Sequence, residues 1–167
     1  MSNRSKTKGN NFERVVAKLL SETYKDIYKV DDAFQRNISS GSIFGGTNKR
    51  DTLQETMIYV GDIITPNDFK YVIECKHYAT PFTINALITQ NCSQLDKWIS
   101  QVTHDSEVAS KKPILIVKYN NIKPFCLVKD NFGIPVFTYK GWFAYDFEQF
   151  LLTNKLLLIN QNLLSVF

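Results

Sequence analysis

The stretch Gly61-Asp62-Ile63-Ile64-Thr65-Pro66-Asn67-Asp68-Phe69-Lys70-Tyr71-Val72-Ile73-Glu74-Cys75-Lys76 decides the fold. Residues 63–65 and 71–75 are short apolar or β-branched runs. Between them Pro66-Asn67-Asp68 supplies residues that pre-set or tolerate turn dihedrals, so the pattern predicts a β-hairpin. Asp62 opens the first strand, and Glu74 lies near the end of the second. Side chains alternate along a strand, which puts Glu74 and Lys76 on one face and Cys75 on the other. An antiparallel return brings Asp62 beside Glu74. Two carboxylates and an ammonium on one wall suit a hard divalent cation such as magnesium. Such a cation lowers the pKa of a bound water and stabilises charge on a phosphate, while the lysine orients or activates the nucleophile.

The chain around this stretch has 167 residues, 44% of them hydrophobic, enough for one domain with a core. No apolar run approaches the ~20 residues that a membrane span needs. The polar, basic start Met-Ser-Asn-Arg-Ser-Lys-Thr-Lys-Gly does not read as a secretory signal. Cys75, Cys92 and Cys126 are odd in number and far apart, which predicts reduced thiols in a cytoplasmic setting and neither a disulfide framework nor a zinc site. Net charge is +4, unevenly placed: residues 1–50 carry ten Lys/Arg against five Asp/Glu, and residues 51–167 carry ten against eleven. A basic N-terminal third is what a polyanion binder presents to phosphates. On charge alone, a tail that only keeps the protein soluble is an equal reading.

Upstream of the hairpin, residues 1–8 are expected to form a flexible basic arm. Gly9-Asn10-Asn11 then leads into a helix with an asparagine N-cap. Phe12, Val15, Val16, Leu19 and Leu20 form its apolar stripe. Glu13 borders that stripe on the side of Val16 and Leu20, where it either faces solvent or leans toward a metal. Residues 33–38 read as a first strand. Ser39-Ser40-Gly41-Ser42 follows as a loop of hydroxyls and backbone N–H groups able to approach phosphates. Residues 43–60, with Asn48-Lys49-Arg50, read as an exposed insertion loop. Downstream, a long helix is expected from about Thr83 to residue 110, with Ile84, Ile88, Cys92, Leu95, Ile99 and Val102 as its buried stripe. Strands are predicted at 114–119, 125–129 and 134–139, and a helix at 142–152. The apolar tail 156–167 is either a last core element or an oligomer contact.

With these elements in order, the chain resembles the PD-(D/E)xK nuclease superfamily: an early helix carrying Glu13, then Gly61-Asp62, then Glu74-Cys75-Lys76, then a helix and a further strand. Within it, the chain is most similar to archaeal-type and phage Holliday junction resolvases. Lys8-Gly9-x-x-Phe12-Glu13-Arg14 resembles their first-helix motif, and Arg36-x-x-Ser39-x-Gly41-Ser42 their serine-rich loop. Val72-Ile73-Glu74-Cys75-Lys76 resembles their catalytic strand, and Trp98-x-x-Gln101 followed by 112–117 the helix and strand after it. The match covers roughly residues 6–120. Gly61 stands where the superfamily name has its proline, and the segment between the serine loop and Asp62 is longer than in compact members.

The resemblance implies an α/β fold with a restriction-endonuclease-like core, a mixed β-sheet flanked by helices. It implies metal-dependent hydrolysis of DNA at four-way junctions, with Mg2+ as cofactor and Mn2+ as substitute. Asp62 and Glu74 hold the metal, with the Cys75 carbonyl as a further ligand and Glu13 completing or supporting the site. Lys76 positions or deprotonates water, and Gln101 orders a metal-bound water or Glu74. Ser39, Ser40 and Ser42 meet the DNA backbone near the scissile phosphate, and Arg4, Lys6, Lys8, Arg36, Lys49 and Arg50 hold flanking phosphates. Paired incision of a two-fold junction implies a homodimer.

Rival readings stay open on sequence alone. Glu74 and Lys76 taken by themselves are a surface ion pair worth little, and a helical glutamine such as Gln101 is usually solvent-facing. The same catalytic wall serves a restriction-like endonuclease or a DNA exonuclease. A non-catalytic DNA-binding protein on this fold is the rival from another class, and the intact Asp62, Glu74 and Lys76 set argues against it.

Overall fold

The computed structural model describes residues 3–38 and 60–160, with side chains from residue 7 onward. Its first element is helix α1, Asn3–Tyr28. Phe12, Val16, Ala17, Leu20 and Tyr24 turn inward and are at most 5% exposed. Val15, expected in the stripe, is 62% exposed, because the buried row follows i, i+4, i+8 and leaves its neighbour outward. The helix starts eight to nine residues earlier than an Asn10 or Asn11 cap predicts. The expected flexible arm at 1–8 is therefore helical from Asn3 on. At the other end Lys29 takes a positive φ of 58° and returns its N–H to the Lys25 carbonyl, closing the last turn.

The chain next makes β1, Gln35–Arg36, and β2, Ile63–Ile64, which pair antiparallel. Of the strand predicted at 33–38, only these two residues are ladder-paired. Ser21 fixes the approach: its hydroxyl accepts from the Phe34 N–H and donates to the Phe34 carbonyl.

A five-stranded mixed sheet follows, in the order β3-β4-β5-β7-β6. Its strands are β3 (Tyr71–Tyr78), β4 (Lys112–Tyr119), β5 (Phe125–Val128), β6 (Phe137–Tyr139) and β7 (Trp142–Asp146). β3 and β4 are parallel, and the other pairs are antiparallel. The crossover between β3 and β4 holds α2, Ile84–Ile88, and α3, Ser93–Val108. After β7 the chain forms α4, Phe147–Asn154, and a 3-10 turn, Lys155–Leu158. Helices α1 and α4 cover the face carrying Tyr71, Ile73, Cys75, Ile114 and Ile116. Helix α3 covers the other face, against Leu115, Val117 and Leu127. This is the α/β sheet flanked by helices that the sequence led us to expect.

Three expectations are corrected. Residues 63–64 and 71–75 do not form a ladder; the link between the segments is the Asp62 N–H to Ile73 carbonyl bond of 2.9 Å. The turn residues are drawn elsewhere: Lys70 donates to the Leu158 carbonyl, Asn160 donates to the Asp68 carbonyl, and Phe69 bridges Ile159. The helix expected to run unbroken through 83–110 is interrupted at Gln90, whose φ is 53°. Its amide donates to the Leu87 and Thr138 carbonyls and accepts from the Lys140 N–H. Tyr139 accepts from the Cys92 N–H and donates to Asp96, starting α3 afresh. Ile84 and Ile88, expected in the stripe, are each 76% exposed. Lastly, 142–146 is strand and not helix. It is nearly all apolar and lies between two strands, a run whose period does not distinguish the two forms. The expected insertion loop lies almost wholly outside the described residues, as does most of the C-terminal tail.

Candidate active site

Asp62 and Glu74 meet at the outer edge of β3. Gly61 makes the approach possible. Its φ is +80°, and a Cβ there would sit 2.8 Å from the Ile73 carbonyl oxygen and 2.9 Å from Val72 Cγ1. Proline, fixed near −65°, cannot take this φ, which accounts for glycine standing before the aspartate. Buried Asn37 secures the same loop: its amide donates to the Gly61 carbonyl at 2.9 Å and its N–H to the Asp62 carbonyl at 2.8 Å. Asp62 Oδ2 then accepts the Cys75 N–H at 2.8 Å. The aspartate is thus locked to the backbone of the strand that carries Glu74.

Glu74 is 3% exposed and Asp62 8%. Alternation along β3 puts Glu74 and Lys76 on the α3 face, as predicted, while Cys75 enters the core under α1. Lys76 Nζ donates to Glu74 Oε1 at 2.5 Å and to Gln101 Oε1 at 2.9 Å. Gln101 Nε2 donates back to Glu74 Oε1 at 2.7 Å. Gln101 therefore closes a three-membered ring with the glutamate and the lysine. Two donors share Oε1; Oε2 accepts no hydrogen bond among the described residues. This geometry excludes a solvated surface pair: the Lys76 side chain is 17% exposed and its partner 3%.

The electrostatics follow from burial. Burial, then the charge of Asp62, pushes the Glu74 carboxyl up to about 8, against the opposing pull of Lys76. Burial pulls the Lys76 ammonium down, but the Glu74 charge and hydrogen bond outweigh it and the net shift is upward. Lys76 is held as a cation. Burial, with the charges of Asp62, Glu74 and Glu13, keeps the Cys75 thiol protonated. Two carboxylates against one cation would leave an excess of negative charge, and the proton held on Glu74 relieves it.

Glu13 is buried on α1 and its charge reaches the Cys75 thiol, but its Oε2 accepts Arg36 Nε at 2.5 Å. Arg36 Nη2 also donates to Asn10 at 2.8 Å, so the guanidinium clamps α1 to β1. Arg36 is half-buried in that clamp, its side chain 17% exposed. Lys8 donates to the Asn120 side chain. Arg4 and Lys6 lie on α1, with side chains outside the described region. Ser39, Ser40, Ser42, Lys49 and Arg50 lie outside the described residues. Trp98 is 5% exposed and packs at 4.8 Å against Tyr78.

Two residues escaped the sequence reading. Asn37 carries no sequence signal beyond its place after Arg36. Asp105 is 8% exposed and lies one turn beyond Gln101, so same-face spacing on α3 could have found it. Its charge adds to the upward push on Glu74, and burial pushes its own carboxyl up, opposed by His104 and Lys76.

Among the described residues no three His, Cys, Asp or Glu side chains converge into a ready-made metal cage. Asp62 and Glu74 are a two-carboxylate site. That donor set fits magnesium, which keeps several of its waters and takes one or two protein carboxylates.

The family described as "Phage putative PDDEXK endonuclease" matches this chain over residues 4–154. No curated protein and no solved structure matches.

Proposed function

The chain belongs to the phage PDDEXK endonuclease family and is a nuclease, and we propose that it is a magnesium-dependent endodeoxyribonuclease acting on four-way DNA junctions. One observation carries the assignment of the site: two adjacent carboxylates, each under 10% exposed, faced by a single lysine. Asp62 and Glu74 would hold a magnesium or manganese ion, with the Cys75 carbonyl as a further ligand, and the ion would supply an activated water and charge neutralisation at the phosphate. Asp62 is preset for this by its bond to the Cys75 N–H. Lys76, held by Glu74 and Gln101, puts a fixed positive charge where the attacking and scissile oxygens gather. Glu13 supports the wall from α1 through Arg36. The serine loop and the N-terminal cations serve the backbone on either side.

Junction preference rests on the resemblance of the first helix, the serine loop and the catalytic strand to resolvases. A C2 dimer follows from the need for two incisions. Leu152, Leu156 and Leu157 are exposed where the apolar C-terminal segment begins and support a contact there. No helix among the described residues is long and apolar enough to cross a membrane.

The deciding experiment compares cleavage of a four-way junction with that of its linear duplex arms, with magnesium, with manganese and with EDTA. Preferential, metal-dependent cutting of the junction is expected. Asp62→Asn and Lys76→Ala are each expected to cut at least ~100-fold more slowly, a loss of roughly 3 kcal/mol of transition-state stabilisation, while still shifting the junction in a gel. Full activity in EDTA would overturn the metal site. Equal cutting of the linear arms would favour a restriction-like or exonuclease activity, and binding without any cutting a non-catalytic DNA-binding role.

A further inference from the structure

The face of β3 opposite Lys76 carries charge that the active site does not use. His77 follows Lys76 and points to the α1 side, and the parallel register sets it beside Lys118 of β4. Lys8 reaches the same place from α1 and donates to the side chain of Asn120, just past β4. Lys118 Nζ donates to the Ile122 carbonyl at 2.8 Å. Both ammonium groups are therefore held by neutral oxygens. Among the described residues neither is in an ion pair, although Lys25, Lys112, Lys140 and Lys155 each have a carboxylate partner.

Beneath them lies the His77 ring, edge-on to Phe12 at 5.5 Å. Its Nε2 is buried and makes no hydrogen bond among the described residues, though Asn120 and the Lys8 backbone lie nearby. The fold thus gathers two like charges over the His77 ring, with no ion pair to either among the described residues. A surface bears such repulsion at little cost when an anion neutralises it in use. The place is one residue from Lys76 along the chain, around the end of the same strand. A nucleic-acid strand whose phosphate lies at Asp62, Glu74 and Lys76 would continue over this strand end.

We infer that Lys8, Lys118 and Asn120, seated over His77, form a second phosphate-binding subsite that holds the DNA backbone flanking the scissile position. It rests on the nuclease reading above and adds the direction in which the DNA leaves the site. Lys8 and Lys118 supply the charge, and the Asn120 amide a hydrogen bond once Lys8 turns from its oxygen to a phosphate.

The test is the salt dependence of binding to a fluorescein-labelled linear duplex, read by anisotropy across a potassium chloride series in EDTA so that nothing is cut. Lys118→Ala is expected to lower the log–log salt slope by about 0.9, as for one phosphate contact, and Lys8→Ala with Lys118→Ala by about 1.8. Lys118→Arg should keep the wild-type slope, which separates lost charge from lost fold. Lys129→Ala, past β5 at the opposite end of the sheet, should also keep it. A wild-type slope for Lys118→Ala, or an equal drop for Lys129→Ala, would overturn the subsite and leave the nuclease reading standing. A wild-type protein that binds no DNA would sink both.

Discussion

Replacing Glu74 by glutamine isolates the charge of one buried carboxylate while keeping its shape and its capacity to accept from Gln101. In the metal-free protein the folded state holds the Glu74 proton up to about pH 8, whereas the ordinary value is 4.5. Between these values the folded state binds more protons than the unfolded state, so stability falls as pH rises. From pH 5 to pH 8 the slope is ~1.36 kcal/mol per unit, a ceiling of ~4 kcal/mol. Relaxation and water entry around a buried charge reduce this to about 2–4 kcal/mol. Asp62, Lys76 and Asp105 also face Glu74. At pH 5 protonated glutamate and glutamine are both neutral, and the two proteins should melt together. By pH 8 the variant should melt roughly 5–15 °C higher, at ~2–4 °C per kcal/mol for a chain of this length. Thermal melts of both proteins in EDTA from pH 5 to pH 9 measure the difference, which cancels the titration of other groups. A difference that stays flat, or wild type gaining on the variant as pH rises, would refute the reasoning and show that Lys76 fully offsets burial.

Divalent metal should reverse the same loss: saturating magnesium or manganese at pH 8 is expected to raise the wild-type melting temperature and leave Glu74→Gln almost unmoved. Equal shifts in both would place metal binding elsewhere. Gly61→Ala forces a side chain into a φ of +80° and against the Ile73 carbonyl. The conformation alone costs about 1–3 kcal/mol, and urea denaturation should show at least that, with cleavage lost because Asp62 is displaced; unchanged stability would contradict the close approach. Arg36→Ala leaves Glu13 buried without its cation and should cost about 3 kcal/mol, as breaking a buried pair does. If Arg36 served DNA alone, the denaturation midpoint would stay put and only binding would weaken.

The chain by itself determined what depends on local periodicity. Alternation fixed Glu74 and Lys76 on one face of β3 and Cys75 in the core. The buried row of α1 and the Leu95, Trp98 and Val102 face of α3 follow from helical spacing. The place of Asp62 beside the strand was legible because Gly-Asp and Glu-x-Lys lie close in sequence. What the tertiary structure decided depends on partners far along the chain. Residues 63–64 pair with β1, far back in the chain, while residues 158–160 bond the Asp68 carbonyl and the Lys70 N–H beyond the turn. The break before α3 is made by Gln90, Tyr139, Lys140 and Asp96, across more than 40 residues. Arg36 has its carboxylate on α1, 23 residues back, so its role is visible only once the helix lies on the small sheet. Asp105 carries no motif; burial beside Lys76 and Glu74 makes its charge count. Local pattern sets which way a side chain points, and only packing sets what it meets there, because burial and pairing depend on elements the local sequence does not contain.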